Sequence, residues 1–363
     1  MDELGEKKLT KSWLKSNVPL CNFSGIHSSI ESKILYAIDL ELGMTKTLSL
    51  SWKVSILVIL SLLFGATIIA FSVRSHHAGE EIAFIGKESK TLDKKFTVRP
   101  GSHLIVDTDI GQIRATGEDV QEISVAVSER GSKRSLNEFH IDINQEDNTV
   151  RIVGRYDRKF FDFLNNSNCD VRFDIRVPTD CNLSLSTAGD DVSVGNVKGD
   201  MDATTSGGDV AAESLEGNVR LRTSGGDVHL KNSEGSFVLK TSGGDIRGES
   251  IKGMIEAETS GGDITVRHSD GKLTASTSGG NIRVELKENK GIDLSTSGGD
   301  LSVSLPASIA AQVDATTVGG DIHCDFAFSG RLEDGELHGK INGGGEIIRL
   351  ETSGGDIVLH QLD

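Results

Sequence analysis

The sequence predicts an all-β protein, a two-sided β-solenoid with 18-residue coils of two nine-residue strand units each, preceded by one transmembrane helix. Three observations predict it. Glycine recurs every nine residues, at 199, 208, 217, 226, 235, 244, 253, 262, 271 and 280. Each glycine opens a Gly-x-Φ-x-Φ pattern with Φ mostly aliphatic, as in Val210/Ala212, Val228/Leu230, Ile246/Gly248 and Ile264/Val266. Upstream, Val54 to Val73 is an uncharged apolar run of 20 residues.

Composition agrees with this class. Glycine is abundant at 42 while proline is rare at 4, which suits many tight turns between regular strands better than a disordered chain. The net charge of −16 argues against a nucleic-acid partner, because phosphate binding needs a cationic surface.

The apolar run at 54–73 has the length needed to cross about 30 Å of hydrocarbon as a helix. Lys46 and Lys53 precede it and Arg74 follows, so charge alone fixes the orientation poorly. The long core and the exit Ala70-Phe71-Ser72-Val73, without a clear Ala-x-Ala, favour an uncleaved signal-anchor over a cleaved signal peptide. Residues 1–53 then form a cytoplasmic tail. Ile30, Ile34, Ile38 and Leu42 are spaced for one short amphipathic helix, and Met44 is an alternative start. Residues 74–95 are polar and read as a stalk.

From 96 to 180 alternating runs such as Leu104/Val106, Ile123/Val125/Val127 and Val171/Phe173/Ile175/Val177 predict a β-rich capping region. Gly111-Gln-Ile-Arg-Ala already has the Gly-x-Φ-x-Φ form and reads as an early rung. Tyr156 to Phe163 is an aromatic and basic cluster, read as a hydrophobic plug on the solenoid end rather than a ligand site.

The solenoid repeat domain spans 181–363. Apolar residues two apart, with polar residues between, make a strand with one buried face. Every second corner reads Thr-Ser-Gly-Gly-Asp, at Thr205 to Asp209, Thr223 to Asp227, Thr241 to Asp245 and Thr259 to Asp263, so the true repeat is 18 residues with two kinds of strand. Each kind stacks on its like in the coil below. The Gly-Gly pair is expected to supply positive φ for the reversal. The period slips at Lys290 and around Pro306, and a longer excursion runs from Phe326 to Gly345, where Gly343-Gly344-Gly345 is a turn. Ile322 and Cys324 are expected to face inward, with Cys324 a buried small hydrophobe.

The repeated Thr-Ser-Gly-Gly-Asp-(Val/Ile) resembles the bacterial putative-adhesin family of β-strand-repeat domains of unknown function. So do Phe96-Thr-Val-Arg-Pro-Gly, Phe173-Asp-Ile-Arg-Val-Pro and Gly339-Lys-Ile-Asn-Gly-Gly-Gly. The likeness covers roughly residues 92–360. It implies an exported β-solenoid, often anchored by one helix, and supplies no catalytic residues to carry over.

The main candidate site is the column Asp191, Asp209, Asp227, Asp245, Asp263, Asn281 and Asp300, one residue per coil. Neighbours about 4.8 Å apart repel by roughly 0.9 kcal/mol in water, so either corner amides or bound cations must offset them. The calcium-roll spacing is not reproduced and Asn281 interrupts the charge, so capping of the turns is the favoured role. His229, Arg247 and Arg283 stand outward beside the column, without the Tyr or Trp platforms that help hold sugars. If Val171 to Val177 is a strand, Cys169 and Cys181 at its flanks lie roughly 25–40 Å apart, too far for a disulfide. His76-His77 read as solvated.

No catalytic, cofactor-binding or metal-ligating residue is assigned, no cofactor is expected, and the protein reads as a non-enzyme. The expected function is that of an adhesin-like binding or scaffolding protein in the cell membrane, its C-terminal domain extracytoplasmic, facing an envelope or cell-surface ligand of unknown identity. The alternative is an envelope sensor signalling through the N-terminal tail.

Overall fold

The structure, a computed structural model, describes residues 88–157 and 169–362. The expected tail, transmembrane helix, first part of the stalk and residues 158–163 of the aromatic cluster lie outside the described residues. Within the described residues no helix is long and apolar enough to cross a membrane.

The N-terminal part contains β1 (Glu88–Thr97), β2 (Ser102–Thr108), β3 (Gln112–Glu118), β4 (Glu122–Gly131), α1 (Lys133–Glu138), β5 (Phe139–Glu146), β6 (Thr149–Tyr156) and β7 (Asp170–Pro178). The regular stack follows as β8 (Cys181–Thr187), β9 (Val192–Gly195), β10 (Met201–Thr204), β11 (Val210–Glu213), β12 (Glu216–Arg222), β13 (Val228–Lys231) and β14 (Glu234–Lys240). It continues through β15 (Ile246–Glu249), β16 (Lys252–Glu258), β17 (Ile264–Ser269), β18 (Leu273–Thr277), β19 (Ile282–Leu286), β20 (Ile292–Thr296) and β21 (Leu301–Pro306). The C-terminal part holds β22 (Ala311–Thr317), β23 (Ile322–Cys324), β24 (Phe328–Glu333), β25 (Glu336–Ile341), β26 (Glu346–Thr352) and β27 (Ile357–Leu362).

These strands form two sheets, one of 13 strands and one of 14. We call sheet A the one ordered β1-β4-β7-β3-β9-β11-β13-β15-β17-β19-β21-β27-β23, and sheet B the one ordered β24-β25-β22-β26-β20-β18-β16-β14-β12-β10-β8-β2-β6-β5. In the regular stack odd strands enter sheet A, even strands enter sheet B, and every pairing there is parallel. Register is in step with the repeat: Val210 pairs with Val228 and Val228 with Ile246, 18 residues apart each time. Identical faces therefore lie over identical faces. Val192, Val210, Val228, Ile246, Ile264, Ile282, Leu301 and Ile357 form one inward file with no exposed surface. The facing file of sheet B runs Leu183, Met201, Val219, Phe237, Ile255, Leu273, Ile292 and Ile348, each at most 3% exposed. Small and medium aliphatics fill the roughly 10 Å between sheets. The inward Gly248 leaves a gap that the corner residue Ile251 fills, since a β-carbon on Gly248 would lie 2.9 Å from Ile251 Cδ1.

Four expectations change. Coils do not stack in chain order at the ends: β2 lies between β6 and β8, and β26 between β20 and β22. A periodic pattern states which face is buried but not which coil is the neighbour. Coil geometry thus starts at Ser102, ahead of residue 181, because Leu104 pairs with Leu183 and Ile113 with Val192. Residues 88–95, read as stalk, belong to β1, which pairs antiparallel with β4. Its side chains are exposed apart from Leu92 and Phe96, as suits an edge strand whose lysines discourage further pairing.

The other two changes are local. In the regular stack positive φ falls at the other corner, on Asn196, Ser214, Asn232, Ser250 and His268 at 49° to 59° and, three residues on, on the single glycines Gly199, Gly217, Gly235, Gly253 and Gly271 at 115° to 157°. The second glycine of the Gly-Gly pair serves close approach without positive φ: a β-carbon on Gly244 would sit 2.0 Å from the carbonyl oxygen of Gly226 in the coil below, as one on Gly235 would from that of Gly217. Lastly, Ile322 and Cys324 are only half-buried, because β23 ends sheet A and no coil covers it.

Candidate functional site

The Thr-Ser-Gly-Gly-Asp corners stack into one edge of the solenoid and set up two hydrogen-bonded columns. In the first, each aspartate accepts through Oδ1 the backbone N–H of the corner residue one coil on. The series runs from Asp191 through Asp209, Asp227, Asp245 and Asp263 to Asn281, at 2.7–2.9 Å. It continues through Asp300 and Asp356 to Asp321, again at 2.8–2.9 Å, following the stack rather than the chain. Asn281 belongs to it without a break, because its Oδ1 accepts as a carboxylate oxygen does. In the second column each threonine donates its hydroxyl to a corner carbonyl in the coil below: Thr223 to Gly208, Thr241 to Gly226 and Thr259 to Gly244, at 2.8–3.0 Å. The same hydroxyl accepts a glycine N–H within its own corner, as from Gly244 to Thr241 at 3.3 Å.

The columns answer the repulsion problem posed by stacked carboxylates. One oxygen of each is held by an amide, and part of the remaining charge is met by cations. Arg247 bridges Asp227 at 3.1 Å and Asp245 at 2.7 Å, while Arg283 reaches Asp263 at 3.2 Å and His229 lies 3.8 Å from Asp227. The Asp245 amide holds the Asp227 carboxyl below the usual carboxylate range; burial opposes it, and Arg247 adds to the lowering. The sequence-derived set of Asp, His229, Arg247 and Arg283 is therefore brought together, as a cross-linked corner. Among the described residues, no group of three or more His, Cys, Asp or Glu side chains is placed to hold a metal ion.

The other residues singled out in the sequence are dispersed. Cys169, Cys181 and Cys324 are free thiols. Burial pushes each of them up from the ordinary thiol value. Tyr156 packs on Phe139 with ring centroids 6.4 Å apart. Gly343 and Gly344 take φ of 86° and 93° in the turn between β25 and β26.

Two outer-surface features escaped sequence reasoning. On sheet A a hollow of about 340 Å³ is floored by Ser193, Gly195 and Ala211 and rimmed by Arg114, His229 and Lys231. Nearer the N-terminal end, a second hollow of about 350 Å³ is lined by Lys94, Lys95, Glu122, Asp174 and Arg176. Lys95 there hydrogen-bonds Glu122 at 2.6 Å and holds its carboxyl below the usual range. Each hollow combines strands far apart in the chain, so the only available signal was the outward slot of each rung.

This arrangement defines a β-solenoid repeat module with hydrogen-bonded corners. The Toastrack DUF4097 family model matches residues 102–360, and the chain belongs to that family. No curated protein matches it. Among solved structures, it is similar to a putative adhesin from Bacteroides fragilis at 16% identity and a TM-score of 0.39, over 74% of this chain and 97% of that one. It is similar to a putative lipid binding protein from Parabacteroides distasonis at 15% identity and a TM-score of 0.32, over 74% and 96%. A putative cell adhesion protein from Clostridium sporogenes is similar at 13% identity and a TM-score of 0.21, over 75% and 100%.

Proposed function

We propose that the chain is an adhesin-like protein of the cell envelope, anchored through 54–73, that binds or scaffolds through the outer faces of its solenoid and performs no catalysis. One observation carries this reading: the interior is sealed. The inward files of both sheets are buried throughout the regular stack from β8 to β21, which leaves recognition there to the outer faces and corners. Those faces carry opposite charges cross-linked from rung to rung, as in Lys231–Glu249 at 3.4 Å and Lys240–Glu258 at 2.7 Å. Such pairs add little stability in water, so their place is on a surface meant to stay solvated and ordered. A rigid face repeating at about 4.8 Å suits a repetitive envelope polymer or a second rod-like protein.

The test is retention of envelope fractions on immobilised full-length protein. Charge reversal at Arg114 and Lys231 should lower retention, and loss of all retention differences between wild type and such variants would defeat the proposal. Deleting residues 1–43 separates it from the sensor alternative: the binding reading expects the phenotype to survive.

A further inference from the structure

The C-terminal end of the stack is a step. Sheet A stops at β23, whereas sheet B continues past β22 by two more strands, β25 and β24. The overhang is therefore two rungs, about 10 Å. Below it lie the free edge of β23 and the half-covered inward side chains Ile322 and Cys324, and Phe328 of the overhanging β24 is half-covered too. The step also collects exposed apolar surface. Four large hydrophobic side chains are exposed among the described residues, and two of them are here: Val318 at 84% and Leu332 at 44%. Val318 occupies the corner slot that is serine in the coils beneath, such as Ser297 and Ser353. Leu332 pairs directly with Leu337, which is 1% exposed, so it lies on the inward face of its hairpin.

We propose that this end is a self-complementary interface for a second copy of the chain, related by a two-fold axis parallel to the strands. Such an axis exchanges the positions of the two sheets, inverts the stacking direction and leaves strand direction unchanged. Two strands are missing from sheet A at this end, and the partner supplies two. The partner's β24 then lies beside β23, and its β25 and β22 follow in order. Strand direction also fits. β24 runs with β22, since each is antiparallel to β25. Each coil goes out along one sheet and returns along the other, so β24 opposes β23 and the new ladder is antiparallel. This closes the free edge, and an isologous contact of this kind terminates at the dimer instead of growing into a fibre.

The experiment is mass photometry and sedimentation of the full chain in a mild detergent. Wild type should be dimeric. Leu332→Lys and Val318→Asp, both at exposed positions, should weaken the dimer by about tenfold or more, while the melting temperature of the diluted, dissociated chain stays that of wild type. The double variant His323→Cys, Arg331→Cys should form a 323–331 disulfide between copies, since the axis keeps each residue's level along the strand and within one chain these positions lie on opposite sheets. A monomeric wild type, a dimer indifferent to Leu332→Lys, or absence of the 323–331 link would each overturn the proposal. None of these readouts depends on envelope binding, so failure here leaves the adhesion reading untouched.

Discussion

The two ends of the stack solve one problem differently. At both, a coil is threaded between two others: β2–β3 between β6–β7 and β8–β9, and β26–β27 between β20–β21 and β22–β23. At the N-terminal end antiparallel strands then extend both sheets, β4 and β1 on sheet A and β5 on sheet B, and α1 packs beside them. At the C-terminal end only sheet B is extended. A solenoid needs its terminal rungs held and its open edges blunted. Threading provides the first at both ends. The second is complete at one end and left unfinished on sheet A at the other.

If the threaded coils are equivalent, equal insults should do equal damage. A β-carbon at Gly117 would lie 1.9 Å from the carbonyl oxygen of Asn196, and one at Gly355 would lie 2.0 Å from that of Gly299. Backbone clashes of this kind have no flexible partner to give way. Gly117→Ala and Gly355→Ala should each cost about 3 kcal/mol or more in denaturant unfolding, and a large difference between them would break the equivalence.

The next effect is peculiar to the N-terminal end. Glu129 is fully buried, neither carboxylate oxygen has a hydrogen-bond partner, and its ion pair is with Lys90 at 3.4 Å. Replacing a poorly satisfied buried charge by an apolar side chain of similar size commonly stabilises, so Glu129→Met should raise stability by about 1–3 kcal/mol in denaturant titration.

Mid-stack effects are smaller. Asp227→Asn keeps the Oδ1 acceptor, as Asn281 does naturally, but loses the charge facing Arg247. The cost at neutral pH should be under about 1 kcal/mol. The folded carboxyl titrates below its ordinary value, so the stabilisation is present above the unfolded value near about 3.9 and is lost as pH falls through the folded one. The variant should flatten the stability profile in that acid window only. Smallest of all, Val318→Ser should change monomer stability by no more than about 0.5 kcal/mol, because the side chain is solvated.

Most of the fold was legible in the sequence because one physical signal dominated it. A nine-residue period with apolar residues two apart leaves only a strand with one dry face, and Val228, Ile246 and Ile264 are accordingly inward with no exposed surface. The aspartate column was legible too, since stacked charges demand partners. Threading was not, because coils of identical period are interchangeable as neighbours and only the connections decide among them. The division of labour between glycines was hidden for a related reason. Gly217 and Gly226 look alike in the chain and both lie against a carbonyl of the coil below, but only Gly217 also takes a positive φ. Residues 88–95 were misread because an edge strand exposed on nearly every side chain carries no periodic signature.

Threading also has a consequence for how the molecule is made. β22 and β23 precede β26 and β27 in the chain, yet they lie beyond them in the stack. During synthesis the earlier pair lacks its native neighbour until the later pair arrives. A copy cut short before residue 346 would leave that pair without its supporting rung. The native order of the last rungs is therefore reached only once the chain beyond residue 346 has been made.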